Sequence, residues 1–374
     1  MKEKINMSKR NKHIIISGGG TGGHVFPSIS IANALKEMDS SVEILFVGAL
    51  GRMEMQKVPE ASYEIKGLPI MGIQRKMTLK NLQVPFRLIK SLRRARRIIN
   101  DFKPDVVVGV GGYASGPVLR IASKKGIPTL IQEQNSYAGI TNRLLAKKAI
   151  KICVAYEGMA NYFPKDKIII TGNPVRKNII PTKSKRDEAI KHFGLSPERK
   201  TILSIGGSLG AASINNSIIE HLRQFESNDI QLIWQCGKHY YQKANEEVEK
   251  YILPNVRLMD FITRMDLAYT AADVIISRAG AVSISELALV KKPAILIPSP
   301  NVAEDHQTKN AKSLADRNAA LIIKDNEAKE KLIAEALNLI RDESKLAELK
   351  ENIEQFAKPD SAKKIAEEII ELTN

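Results

Sequence analysis

The sequence predicts two α/β domains, each built on a parallel sheet, in a chain of 374 residues. Three observations predict this. Short apolar runs alternate with helical patterns along the chain. Two of the runs lead into glycine-rich turns: His13-Ile14-Ile15-Ile16-Ser17 into Gly18-Gly19-Gly20-Thr21-Gly22-Gly23-His24, and Thr201-Ile202-Leu203-Ser204-Ile205 into Gly206-Gly207-Ser208-Leu209-Gly210-Ala211. The length also suits two domains of ordinary size. Glycine lets the backbone come close to a ligand, and the first N–H groups of a helix favour an anion. Two such strand–turn–helix units imply two domains with a ligand between them.

In the first half, strands are predicted at 14–17, 42–47, 106–110, 129–132, 152–155 and 168–171, with helices at 28–38 and 117–125 among them. Apolar runs too short for helices, separated by helical segments, indicate a parallel sheet covered on both faces. The second half repeats the alternation. Its strands are predicted at 201–205, 231–235, 256–260, 274–277, 294–297 and 320–323. Its helices are predicted at 212–224, 265–272, 282–290, 307–317 and 327–341. The boundary is placed in 172–184, where Pro174 and Pro181 interrupt the periodicity. The segment 361–372 follows Pro359 and reads as an amphipathic helix able to pack on either domain.

Composition narrows the partners. The chain carries 57 Lys and Arg against 41 Asp and Glu, a net charge of +16. That balance points to nucleic acid, a membrane surface or a phosphorylated substrate. No basic–aromatic interleaving of the kind that stacks on bases is present, so nucleic acid is not expected. No run approaches the ~18 uncharged apolar residues of a bilayer span. The polar N-terminal segment 1–10 has no apolar signal core. Cys153 and Cys236 match no metal or redox spacing and read as buried thiols of a reducing cytosol.

Gly18, Gly20 and Gly23 satisfy G-x-G-x-x-G, a weak signal alone. A nicotinamide site wants an acidic residue near the end of the second strand. Here that strand ends Phe46-Val47-Gly48-Ala49-Leu50, which argues against a dehydrogenase. The absence of a G-x-x-x-x-G-K-[ST] loop argues against ATP hydrolysis. His24 ends the first loop at a predicted helix N-terminus, where a neutral imidazole can act as a base; a histidine that only caps or packs is the alternative. The cluster Gly109-Val110-Gly111-Gly112-Tyr113-Ala114-Ser115-Gly116-Pro117 also follows a strand, as a ligand-facing loop or a tight turn.

In the second half, Ser277-Arg278-Ala279-Gly280-Ala281-Val282-Ser283-Ile284-Ser285-Glu286 reads as strand, turn and helix start. The turn offers N–H groups to a phosphate. Glu286 either accepts hydrogen bonds from a ribose diol or only complements the helix dipole. Asp305-His306-Gln307 opens another helix, and Gln307 can both donate to and accept from a sugar hydroxyl pair. No metal-ligand spacing appears, so a diphosphate is expected to be held by backbone and helix ends, with no cofactor required.

Arg75 to Arg97 contains nine Lys or Arg and no Asp or Glu. Pro85 fits the first turn of a helix. A stripe of Leu88, Leu92, Ala95 and Ile99 is expected to face the core. Leu79, Leu82 and Phe86, with Arg87, Lys90, Arg93 and Arg94, are left for an anionic bilayer, where each basic residue is worth about 1 kcal/mol. A solvated basic helix is the bland alternative.

Taken in order, six motifs resemble the MurG family within glycosyltransferase family 28. They are Gly19-Gly20-Thr21-Gly22-Gly23-His24-Val25-Phe26-Pro27, Gly111-Gly112-Tyr113-Ala114-Ser115-Gly116-Pro117, Glu133-Gln134-Asn135, Gly172-Asn173-Pro174-Val175-Arg176, Gly206-Gly207-Ser208 and Ser277-Arg278-Ala279-Gly280-Ala281. The resemblance runs over nearly the whole chain. It implies a GT-B fold, two Rossmann-like parallel-sheet domains facing across a cleft. An N-terminal acceptor and membrane-side domain would span 1–175, rejoined by a last helix in 359–374, and a UDP-GlcNAc-binding domain would span 176–358. It implies inverting transfer of GlcNAc from UDP-GlcNAc to the C4 hydroxyl of MurNAc in lipid I, giving lipid II.

By the same resemblance, Ile262 meets uracil through its backbone, Ala281, Val282, Ser283, Ile284, Ser285 and Glu286 hold diphosphate and ribose, and Ser208 holds a phosphate. Gln307 and Asn135 contact the sugar, with Arg176, Thr21, Gly22 and Gly23 completing the donor site. Gly18, Gly19, Gly20, Gly111, Gly112, Tyr113 and Ser115 receive the acceptor. His24 is the candidate base and Glu133 the reserve, or the group that orients His24. Some family members have Gln-Gln where this chain has His306-Gln307, which leaves the role of His306 open. The implied location is the cytoplasmic face of the bacterial membrane, held peripherally, with cell-wall or division proteins as possible partners. The rival readings are a related GT-B glycolipid glycosyltransferase, a UDP-GlcNAc 2-epimerase, and a non-enzymatic membrane adaptor.

Overall fold

The structure is a computed structural model that describes residues 11–72, 83–175, 179–181, 183–207, 210–302 and 305–373. The chain divides into two compact units, one running to Val175 and taking up the chain again from Asp360, the other Arg176–Pro359.

Among the described residues, the first unit holds seven strands: β1 (His13–Gly18), β2 (Glu43–Ala49), β3 (Glu64–Leu68), β4 (Val106–Gly111), β5 (Thr129–Glu133), β6 (Lys151–Val154) and β7 (Ile168–Ile170). Their order is β3-β2-β1-β4-β5-β6-β7, and every pair is parallel. β3 was not predicted: Glu64-Ile65-Lys66-Gly67-Leu68 is too short and too polar to stand out. The central strands are buried on both faces, Ile14, Ile15 and Ile16 among them, and one core cluster lies on each side of the sheet.

The first helix runs Gly22–Met38, six residues earlier than the sequence suggests, with Pro27 inside it. Proline there lacks only the bond to the Gly23 carbonyl, at an exposed first-turn residue. The terminal helix Ser361–Glu371 packs on this unit. Its Ala362, Ile365, Ala366 and Ile369 repeat at helical spacing and join the core beside Ile31 and Leu35. Burying each isoleucine contributes about 1.5–3 kcal/mol. Lys151 pairs with Glu368 and Glu371 of that helix at 2.5 and 2.6 Å.

The second unit holds, among its described residues, β8 (Thr201–Ile205), β9 (Gln231–Gln235), β10 (Val256–Met259), β11 (Val274–Ser277), β12 (Ala294–Leu296) and β13 (Leu321–Ile322). Their order is β10-β9-β8-β11-β12-β13, again all parallel. The predicted helix 212–224 is two pieces, Ala212–Glu220 and Leu222–Ser227, broken at His221, whose Nδ1 lies 2.9 Å from the Ser217 carbonyl. The helices Arg186–Phe193, Tyr241–Tyr251 and Glu343–Glu354 were not predicted. Tyr241–Tyr251 packs through Ala244, Val248 and Tyr251, a narrow stripe at helical spacing set among lysines and glutamates.

Cys153 and Cys236 are buried free thiols. Burial pushes their pKa values up, to about 12 and about 11, which keeps them protonated and inert.

Candidate active site

In the first unit the strand order reverses between β1 and β4. The turns that follow these two strands therefore open side by side at the carboxyl edge of the sheet, where doubly wound sheets receive ligands. Gly18 pairs with Gly111 across that point. The helix Gly22–Met38 begins at once, with Thr21 as N-cap. Its first-turn N–H groups at Gly22 and Gly23 have no acceptor within the helix and point out of its N-terminus.

His24 is the third helical residue. Its N–H donates to the Thr21 carbonyl at 3.1 Å, and its Nδ1 lies 3.4 Å from Thr21 Oγ1. The far edge of the imidazole lies over Gly111: a Cβ there would sit 2.7 Å from Cδ2 and 2.8 Å from Nε2. Gly111 also has φ +96°, a left-handed conformation. The fold thus joins His24 to a glycine cluster almost ninety residues away. Gly112 packs directly against the Gly19 backbone, where any side chain would overlap the Gly19 carbonyl. Tyr113 is 55% exposed. Ser115 departs from expectation: it is fully buried, and its hydroxyl donates to the Gly112 carbonyl at 2.9 Å. It closes the turn and does not present its side chain to a ligand.

Glu133 ends β5 and is 2% exposed. One carboxylate oxygen accepts the Asn135 N–H at 3.1 Å and Asn135 Nδ2 at 3.2 Å. The other accepts the Gly139 N–H at 3.0 Å and Asn142 Nδ2 at 2.9 Å. Such a carboxylate organises the turn 134–142, and Asn135 is held in place by it. Beneath lies a buried amide network. Gln134 Nε2 donates to the Val110 carbonyl at 2.7 Å, and Asn173 Nδ2 donates to the Gln134 carbonyl at 3.0 Å. Gln134 and Asn173, singled out only within motifs, therefore brace the second glycine loop.

Glu54 was missed. It opens the helix Glu54–Glu60 and is 2% exposed. Its carboxylate accepts the Gly20 N–H at 2.8 Å and the Ala49 N–H at 2.9 Å. Nothing in the local sequence marks it; only the pairing of β1 with β2 brings the first turn within its reach.

The second unit repeats the arrangement, with its order reversing between β8 and β11. The chain therefore leaves β8 at Gly206 and β11 at Arg278 on one edge of the sheet. The helix Ala281–Val290 starts after N-cap Gly280. Arg278 fixes this turn, donating to the Ile297 carbonyl at 3.1 Å and to Ser213 Oγ at 3.1 Å and pairing with Asp325. Ala281 and Ile284 are buried, the Ile284 N–H donating to the Gly280 carbonyl at 2.9 Å, while Val282 and Ser283 are partly exposed. Ser285 Oγ donates to the Ala281 carbonyl at 3.0 Å. Glu286 lies in the second helical turn, and one of its oxygens accepts from the Tyr269 hydroxyl at 2.9 Å.

Gln307 is the second residue of the helix His306–Ala315, and its Oε1 accepts the Ser299 N–H at 2.9 Å. That bond orients its amide. Ile262 is buried in the loop after β10. Arg176 and Ser208 lie outside the described residues.

The basic helix spans Val84–Phe102, with Pro85 in its first turn. Ser91, Ala95, Ile98 and Ile99 face the core. Leu88, expected there, is 41% exposed, because the first two turns project beyond the packed part of the helix. Phe86 and Ile89 are exposed beside it, as are Arg87, Lys90, Arg93 and Arg94. Leu79 and Leu82 lie outside the described residues. Among the described residues, no helix is long and apolar enough to cross a membrane.

Residues 14–154 match the glycosyltransferase family 28 N-terminal domain, and residues 201–367 match the family 28 C-terminal domain. A Parabacteroides distasonis protein is 58% identical over 97% of this chain and 99% of its own length. It is described as a UDP-N-acetylglucosamine–N-acetylmuramyl-(pentapeptide) pyrophosphoryl-undecaprenol N-acetylglucosamine transferase. The crystal structure of Acinetobacter baumannii MurG is 30% identical, with TM-score 0.75, over 96% of this chain and 99% of that one. The UDP-GlcNAc 2-epimerase of Neisseria meningitidis shares the fold alone, at 15% identity and TM-score 0.68 over 96% of this chain and 100% of that one. Two Rossmann-like sheets, the glycine turns at their switch points and these matches over both halves place this chain in glycosyltransferase family 28.

Proposed function

We propose that this chain transfers N-acetylglucosamine from UDP-N-acetylglucosamine to the C4 hydroxyl of the N-acetylmuramyl sugar of lipid I, forming lipid II. The observation that carries the reading is near-full-length identity of 58% to a transferase named for that reaction. The two sets of glycine turns give the reading a physical basis. The second unit takes UDP: backbone N–H groups at 281–283 face the diphosphate, Glu286 meets the ribose and Gln307 meets the sugar. The first unit takes the acceptor diphosphate at the N-terminus of Gly22–Met38 and beside Gly112.

The chemistry needs a proton acceptor at the attacking hydroxyl. His24 Nε2 is assigned that role, while Nδ1 faces Thr21 Oγ1. Attack comes from the face opposite UDP, inverting the anomeric carbon. The departing dianion is stabilised by helix-start N–H groups and requires no metal in this reading. Glu133 serves as the organiser of the Asn135 loop, since its oxygens already accept four N–H donors. The projecting turns with Phe86, Leu88 and Ile89 and their basic neighbours sit on an anionic cytoplasmic leaflet.

The test is acceptor-dependent UDP release from UDP-GlcNAc with a lipid I analogue. Wild type is expected to release UDP only with acceptor present. His24→Ala is expected to lose about 10²–10⁴-fold in kcat. Release by wild type without dependence on the acceptor would overturn the assignment.

A further inference from the structure

We propose that Glu54 is a positioning residue that fixes the first glycine loop and, through it, the presentation of His24; this rests on the acceptor-side reading above. The buried carboxylate occupies the space that two glycines leave open. A Cβ at Gly19 would overlap the carboxylate itself, and one at Gly48 would lie 2.5 Å from Glu54 Cγ. One oxygen accepts the Gly20 N–H and the other the Ala49 N–H, so the group bridges the ends of β1 and β2. Gly19 and Gly20 have φ of +143° and +91°, and the strut holds them in that conformation. On its other side Gly19 meets Gly112. Glu54 thus presses the first glycine turn against the second, which carries Gly111 beneath the His24 ring.

The arrangement also divides the N–H groups of the loop. The Gly20 N–H is committed to Glu54, so donors to a bound anion are sought beyond Gly20. Loss of the strut frees Gly20, loosens the turn and shifts the helix start that carries His24.

The experiment uses the full chain with Glu54→Gln, and Glu54→Asp as a second variant should the first fail to fold. Glutamine keeps the shape but replaces one acceptor oxygen with a donor facing an N–H. Expected are UDP affinity within about twofold of wild type and kcat/KM for a lipid I analogue lower by about 10–100-fold, the size of effect a small misplacement produces. Combined with His24→Ala, the loss is expected to stay within about threefold of His24→Ala alone, since coupled residues are non-additive.

By NMR, the Gly20 amide is expected to exchange faster and the His24 imidazole titration to shift. These two readouts stand even if the acceptor proves to be another molecule. Wild-type acceptor kinetics in a folded variant, multiplicative losses in the double variant, or an unchanged Gly20 amide and His24 titration would each overturn the proposal.

Discussion

At the scale of single residues, contact geometry ranks the side chains. The ring of His24 lies on Gly111 so closely that Gly111→Ala has no room without moving it. Gly111→Ala is therefore expected to reproduce much of the His24→Ala defect, lowering kcat by about 10²-fold, while UDP binding measured by calorimetry stays unchanged. A variant with normal turnover would show that the ring is free to move aside. In the second unit, Tyr269 holds one oxygen of Glu286. Tyr269→Phe removes one hydrogen bond, worth about 0.5–1.5 kcal/mol, and is expected to raise the donor KM several-fold with little change in kcat. His24, Glu286 and Gln307 were legible in the sequence because each follows a strand–turn signature that fixes its place on the sheet edge. Glu54 was not legible, because its partners Gly20 and Ala49 belong to other elements and nothing local signals the pairing. The carboxylate of Glu133 was legible as a group of interest. Its engagement by Asn135, Gly139 and Asn142 depends on a loop path that no periodicity encodes.

At the scale of elements, strands were easier to read than helices, for a physical reason. A buried parallel strand is apolar throughout, as in Val106-Val107-Val108, whereas a surface helix such as Tyr241–Tyr251 packs through a narrow stripe of Ala244, Val248 and Tyr251 among charged residues. The basic helix Val84–Phe102 shows the same limit. Of the core stripe expected at Leu88, Leu92, Ala95 and Ile99, Ala95 and Ile99 are buried and Leu92 partly so, but Leu88 falls on the projecting turns. Those turns therefore expose Phe86, Leu88 and Ile89 together, ringed by arginine and lysine. Binding to vesicles of anionic phospholipid is expected to weaken when Phe86 becomes Ser, and further when Arg93 and Arg94 become Glu. Each charge lost costs about 1 kcal/mol, so the double reversal is expected to lower partitioning by well over tenfold. Flotation at low and high salt checks this, and salt-independent binding would assign the contact to the apolar residues alone.

At the scale of the molecule, each unit has its own doubly wound sheet, and stability and binding can be tested unit by unit. Lys292 precedes β12 with Nζ donating to the Ala272 carbonyl at 2.5 Å. Burial lowers its pKa to about 8 from 10.5, against the pull of Asp273. Between those values the unfolded chain binds the extra proton, so this group makes stability rise with pH through the window, and its penalty is full below about pH 8. Lys292→Met is expected to melt about 2–4 °C above wild type at pH 7, as a change of about 1 kcal/mol gives. The difference is expected to shrink by about pH 9.5, near the upper end of the window. The buried thiols titrate in both proteins and cancel in the comparison. Nucleotide binding separates the units more directly. The turn 278–280 and the start of Ala281–Val290 belong to Arg176–Pro359, whereas the turns carrying Gly19 and Gly112 belong to the other unit. The first unit is assigned the acceptor, so UDP is expected to slow hydrogen exchange at 281–286 and leave 18–24 and 111–116 unchanged. A lipid I analogue is expected to do the reverse. Equal protection of both sets by UDP alone would mean that the first unit also holds the nucleotide, and the division of donor and acceptor between the two sheets would have to be redrawn.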